Sequence, residues 1–137
     1  MNETLHNPRR FFDFGQWPIV VARMPGFEHF SMTDWIAGFD AALDRNEAFV
    51  AVLDIAGFLK DPRENHDDQK LATKWLKIRR ADYKRLCKGN VYVVADPATR
   101  AKVIAETSAQ GRAFGFPFVG AATEAEALEI ARDLLAQ

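Results

Sequence analysis

Residues 48–55, AFVAVLDI, form an almost unbroken apolar, β-branched run interrupted only by Asp54. A strand with one wet face alternates apolar and polar residues, so a run like this is stable only where both faces are covered. It therefore demands a central strand in a sheet with helices packed on it, and it excludes an all-helical bundle or an open β-meander. A second run of the same kind, NVYVVA at 90–95, requires a neighbouring strand.

The segments between and around these runs carry helical or turn signals. RFFDF and PIVVAR (18–23) read as a hairpin with Gly15 near its turn, and Pro25 and Gly26 then break the chain. SMTDWIAGFDAALDRNE places Trp35, Ile36, Phe39, Ala42 and Leu43 at three- and four-residue steps behind a Ser31 or Thr33 cap, an amphipathic helix. After 90–95, Asp96 can cap a helix whose first position is Pro97 and whose stop is Gly111. FPFV (116–119) reads as a strand whose Pro117 puts it at an edge. The last helix opens with Thr123 and Glu126 as a capping box and buries Ala127, Ile130, Ala131 and Leu134. The order is ββαβαβαβα, an α/β fold with four helices. Crossovers between strands are right-handed and make the later pairings parallel, beside an N-terminal hairpin. Residues 1–10 are expected to be a flexible N-terminus and residues 11–137 a single domain, a size that can bury a substantial core.

With that order, and with VLDIAGF leaving the central strand and VYVVADP leaving the next, the chain resembles the STAS superfamily. More narrowly it resembles the SpoIIAA-like group, related in fold to SEC14-type lipid-binding domains, over about residues 11–136. The resemblance implies a regulatory or interaction module without catalysis. In anti-sigma antagonists of this kind, a Ser at the start of the helix after the central strand is a phosphorylation switch. Here the matching stretch, IAGFLKDPRENHDD, has no Ser or Thr, so that switch does not carry over.

The charge of the chain is polarised rather than absent. Net charge is −1, yet residues 70–88, KLATKWLKIRRADYKRLCK, hold eight of the eighteen Lys and Arg residues and a single acid, Asp82. Such a face can act on an anionic partner within a Debye length of about 8–10 Å whatever the global charge. As one helix, positions 70, 74, 77, 81, 84 and 88 make a basic ridge of five lysines and Ala81, while Ala72, Leu76, Arg79, Tyr83 and Leu86 face the core, widened by Trp75 and Cys87. Arg79 falls in the middle of the apolar stripe, where a guanidinium must reach a carboxylate, snorkel outward or enter an interface. Lys70, Lys74, Trp75, Lys77, Arg79, Arg80, Tyr83 and Lys84 are the expected partner-binding residues, because aromatics and Arg dominate interface energetics. The ridge suits phosphates electrostatically, but no second recognition helix and no stacking platform accompany it, so nucleic acid is not the expected partner.

Other chemistry has thin support. Asp54, Asp61, Glu64, His66, Asp67 and Asp68 crowd into fifteen residues, but their spacing fits no metal motif, and acids at a helix start stabilise it. His6 and His29 sit in separate loops, and the single Cys87 reads as a small buried hydrophobe. Neither a phosphate loop nor a nucleophile with a base emerges, so no enzyme and no cofactor is expected. Asp96, Thr99 and Arg100 mark a possible anion site at a helix start. The lone cysteine, the polar N-terminal NPRRFFDF and the lack of an apolar run of roughly 18–20 residues lead to the expectation of a cytoplasmic protein without a transmembrane segment. The expected function is a non-enzymatic module that binds a protein partner, or a second copy of itself, through residues 70–88 and the preceding loop. The alternative is a carrier of a small apolar ligand or lipid, which Phe27, Phe30, Trp35, Phe114, Phe116 and Phe118 could serve.

Overall fold

The computed structural model describes residues 7–61 and 65–137. The apolar run forms β3 (Phe49–Asp54), the middle strand of five. To one side lie β2 (Ile19–Arg23) and β1 (Phe12–Gln16), and to the other β4 (Cys87–Val93) and β5 (Phe118–Ala121), giving the order β1-β2-β3-β4-β5. Only β1 runs antiparallel, joined to β2 by a turn at Trp17 and a cis Pro18. The pairs β2–β3, β3–β4 and β4–β5 are parallel. The helices are α1 (Met32–Asp44), α2 (Ala56–Lys60), α3 (His66–Leu86), α4 (Pro97–Gln110) and α5 (Glu124–Ala136).

The α/β class and the N-terminal hairpin stand, but among the described residues the order is ββαβααβαβα, with five α-helices rather than four. The extra one, α2, lies in AGFLK, which reads as loop because it is one turn long and contains Gly57. Its place is set by tertiary contact: a Cβ on Gly57 would come within 2.8 Å of the Met24 carbonyl and 2.9 Å of the Pro25 Cα. The basic helix is also displaced. It spans 66–86 rather than 70–88, capped by Asn65, whose side chain accepts from the Asp68 N–H at 3.1 Å. Cys87 and Lys88 therefore belong to β4, not to the helix end, because the chain turns extended at once to pair with β3. The edge strand begins at Phe118, with Pro117 just outside it, where a missing N–H costs no ladder bond.

The sequential strand order dictates where the helices go. Each crossover is right-handed and steps in the same direction, so α1, α3 and α4 all lie over one face of the sheet. Phe12, Val20, Ala22, Phe49, Ala51 and Leu53 point to that face, with Phe39, Leu43, Tyr83 and Leu86 from the helices. On the opposite face, among the described residues, α5 covers Ile19, Val21, Val50, Val52, Val91 and Val93, with Ala127 and Ala131 fully buried at the contact and Leu128, Ile130, Leu134 and Leu135 packed around them. Full burial of a valine stabilises by about 1.5–3 kcal/mol, and Val50, Val52 and Val91 have no exposed surface at all. The caps agree with the sequence: Ser31, Asp96 and Thr123 each accept from a backbone N–H in the first turn of α1, α4 and α5. Residues 1–6 of the expected flexible terminus lie outside the described residues. Residues 7–10 are held by Asp34, which accepts from the Asn7 N–H at 2.8 Å and from Arg10 at 2.9 Å.

Candidate functional site

Three helices over one face do not pack evenly. The closest backbone neighbour of α3 is α1, while α4 rests on β5 and β4. Between α3 and α4 the sheet is left partly uncovered, and the space is a cavity of about 340 Å³. Its floor is Leu53 of β3 and Ile55 just after it, together with Asn90 and Tyr92 from β4. Leu76 and Tyr83 of α3 form one wall, and Thr107 and Gln110 of α4 the other. Phe114, Phe116 and Phe118 close one end, and Met24, Trp35 and Phe39 line the rest. This volume falls at the lower end of the roughly 300–1,000 Å³ typical of small-molecule sites, and a mostly apolar lining with a few convergent polar groups is their usual composition.

The aromatic end is an ordered array. Tyr83 stacks on Phe116 with centroids 5.6 Å apart and planes 21° apart, and Phe116 stacks on Phe118 at 5.1 Å and 18°. The 3-10 turn Arg112–Phe114 positions this array, ending at Gly115 with a φ of 78°, a left-handed conformation that suits glycine. Gly111 before it is buried against the Phe118 ring, into which a Cβ there would project.

The polar groups sit on the floor. Tyr83 donates its hydroxyl to Asn90 Oδ1 at 3.1 Å, and the Cys87 thiol lies 3.5 Å from the same oxygen. Tyr92 lies beside Asn90 and Thr107. Burial raises the Tyr92 phenol to about 12 and the Cys87 thiol likewise to about 12. Burial also lifts the Tyr83 phenol well above its ordinary value. All three are therefore neutral near pH 7, and among the described residues no charged side chain lines the cavity.

The expected partner-binding residues divide into two sets. Lys70, Lys74, Lys77, Arg80 and Lys84 are exposed along α3, as the ridge requires, and the arginine of this set lies 5.8 Å over the Phe114 ring. Trp75, Arg79 and Tyr83 turn inward. The Trp75 indole donates to Asp40 Oδ1 at 2.8 Å, Tyr83 is 7% exposed, and Arg79 is clamped to α1 by Asp40 at 3.0 Å and Asp44 at 3.2 Å. Arg79 thus reaches a carboxylate within its own chain. Sequence reasoning did not single out Leu71 and Ile78, which stand out among the ridge lysines at 37% and 70% exposure.

At the start of α4, Asp96 accepts from the Thr99 N–H and hydroxyl, both at 2.8 Å, which holds its carboxyl below the usual carboxylate range. Arg100 turns to the Val94 carbonyl at 3.0 Å. Asp96 thus caps α4, and Arg100 is engaged with the backbone just before it. Of the acid-rich stretch, Asp67 and Asp68 occupy the first turn of α3, Glu64 lies outside the described residues, and Asp54 stands apart at the end of β3. There Glu124 accepts two hydrogen bonds from Arg23, at 2.7 and 2.9 Å. Burial, then its hydrogen bond with Glu124, raises the Asp54 carboxyl, whereas the Arg23 fork lowers Glu124. Among the described residues no group of three or more His, Cys, Asp and Glu could hold a metal ion, and no helix is long and apolar enough to cross a membrane.

Of the aromatic residues expected to serve a carrier, Trp35, Phe114, Phe116 and Phe118 line the cavity, while Phe27 and Phe30 line a smaller one of about 150 Å³. Sequence reasoning missed Leu76, Asn90, Tyr92 and Thr107. One signal was present: Asn90 and Tyr92 alternate with Val91 and Val93, so the strand has one polar-bearing face, which a strand packed dry on both sides would not have. No family model, curated protein or solved structure matches this chain.

Proposed function

We propose that this protein is a non-enzymatic binder of a small apolar ligand, held between α3 and α4 in a STAS-like or SEC14-like α/β domain. The observation that carries the reading is the 340 Å³ cavity lined by aromatic and aliphatic side chains, left open where α3 leans on α1 and α4 on the sheet edge. The space opens to solvent, and a mostly apolar lining with a few polar groups is the usual composition of a small-molecule site. The test is titration with 1-aminoanthracene, a neutral dye that fluoresces in apolar surroundings. The chain is expected to bind one equivalent, and Leu76→Trp, which fills the space from α3, is expected to lower affinity at least tenfold with an unchanged melting temperature. Equal dye binding by the filled variant would reject the cavity as the site.

The exposure of Ile78 beside the lysine ridge favours a second reading, a docking face on α3 for an acidic protein. A two-fold pair of identical chains through this face would set ridge against ridge, so charge favours a different partner over a second copy. Reversal of Lys74 and Lys77 to Glu should abolish capture of that partner without changing melting, and capture undiminished by the double reversal would remove this reading.

A further inference from the structure

The chemistry of the cavity narrows what can occupy it, and the narrowing rests on the ligand-binding reading above. Three features act together. First, among the described residues the lining holds no charged side chain, and the Arg80 guanidinium, 5.8 Å over the Phe114 ring, is not among the lining groups. A carboxylate or phosphate carried into it would give up hydration without a cation in the lining to replace it. Second, the Tyr83, Phe116 and Phe118 rings lie in near-parallel planes, 21° and 18° from one to the next. Phe116 is already flanked by both partners, so a flat ring meets the edges and outer rings of this array, an aromatic contact that a flexible alkyl chain does not make. Third, the polar groups are confined to the floor and are neutral. Asn90 gives its oxygen to the Tyr83 hydroxyl at 3.1 Å, the Thr107 hydroxyl donates to the Val103 carbonyl at 2.8 Å, and Tyr92 is hydrogen-bonded with both Asn90 and Thr107, so a polar end would join this network through the Tyr92 hydroxyl. The size argues in the same direction, because about 340 Å³ suits a fused-ring molecule and not a two-chain lipid.

We infer that the cavity selects a small, neutral, planar aromatic molecule carrying one uncharged hydrogen-bonding group, which packs against the Tyr83–Phe116–Phe118 array and sets its polar end against Tyr92. Tyr92 is assigned as the residue that distinguishes a ligand with that polar group from one without it. Its ring forms part of the floor, so removing the hydroxyl alone should change selectivity and leave the shape of the site.

Displacement of 1-aminoanthracene at pH 7 by four compounds tests this. They are 2-naphthol, naphthalene, 2-naphthoate and 1-decanol. The expected order has 2-naphthol tightest, about fivefold ahead of naphthalene through the added hydrogen bond and at least about tenfold ahead of the anionic 2-naphthoate. Decanol, neutral and hydroxylated but not planar, should also fall behind. In Tyr92→Phe the preference for 2-naphthol over naphthalene should shrink to within about twofold, with naphthalene affinity unchanged as the control that the cavity is intact. Equal displacement by 2-naphthoate, stronger displacement by decanol, or a naphthol preference that survives Tyr92→Phe would each overturn the inference while leaving the cavity as a binding site. If the dye itself does not bind, the underlying ligand-binding reading falls and the inference with it.

Discussion

Arg79 shows how a single residue that violates a pattern can be resolved within the chain. It interrupts an apolar helical stripe, and its side chain is 19% exposed between Asp40, Asp44 and Asp82. Its buried Nε makes no hydrogen bond, although Asp82 Oδ2 lies 3.4 Å away. Asp40 and Asp44 are themselves 37% and 70% exposed, so water screens part of the attraction. Arg79→Ala should therefore cost about 1–2 kcal/mol in urea unfolding, less than the loss of a fully buried pair. Arg79→Lys should recover under half of that, because an ammonium cannot fork between two carboxylates.

Asp54 offers a second test at this scale, through pH. Its folded-state pKa is raised from 3.8, first by burial and then by its hydrogen bond with Glu124. Folding thus favours its protonated form, and that contribution is present below the unfolded pKa and lost as pH rises through the folded one. Asp54→Asn keeps an acceptor for the Ala56 N–H, which now lies 3.1 Å from Asp54 Oδ1, and cannot ionise. The variant should match the parent near pH 3 and gain stability relative to it just above pH 4, with the difference constant by pH 7. Glu124 works in the opposite sense: its pKa is lowered by Arg23, so its contribution is present above the unfolded pKa and lost as pH falls. Chemical denaturation across pH 3–7 reads both slopes.

Among the elements, α1 and α3 are set by close approach, and the approach of α1 to β1 depends on Gly38. A Cβ there would fall within the Phe12 ring, which itself meets Phe39 edge-on at 5.0 Å. Alanine is the better helix former by about 1 kcal/mol, but here overpacking should win. Gly38→Ala is expected to destabilise by about 1–3 kcal/mol, read as a lower melting temperature. Much at this scale was legible in sequence. The unbroken run at 48–55 requires a central strand, and Ser31, Asp96, Gly111 and Thr123 mark helix ends that the structure keeps. The short α2 was not legible, because Gly57 gives a turn signal and the segment is held by tertiary contacts, with Gly57 close to Met24 and Pro25 and with Phe58 and Leu59 packed on the core. Nor was the abrupt change from helix to strand at Cys87, where pairing with Phe49 overrides a helical pattern that continues through Lys88.

For the whole molecule, the decisive property is that all three crossovers step one way. Among the described residues the sheet then has one face covered by α5 and another covered by α1, α3 and α4, and the uneven spacing of α3 and α4 leaves the cavity. Periodicity locates each helix, but no local signal reports the distance between α3 and α4. That is why the basic ridge was prominent in sequence while the cavity, assembled from residues 24 to 118, was not. The ridge and the cavity use opposite sides of α3, so one experiment separates them. Methyl-resolved NMR of the full chain titrated with 1-aminoanthracene would report both sides at once. The ligand-binding account predicts saturable shifts at the Leu53, Ile55 and Leu76 methyls with Leu71 and Ile78 unmoved; shifts confined to Leu71 and Ile78, or none at saturating dye, would contradict it.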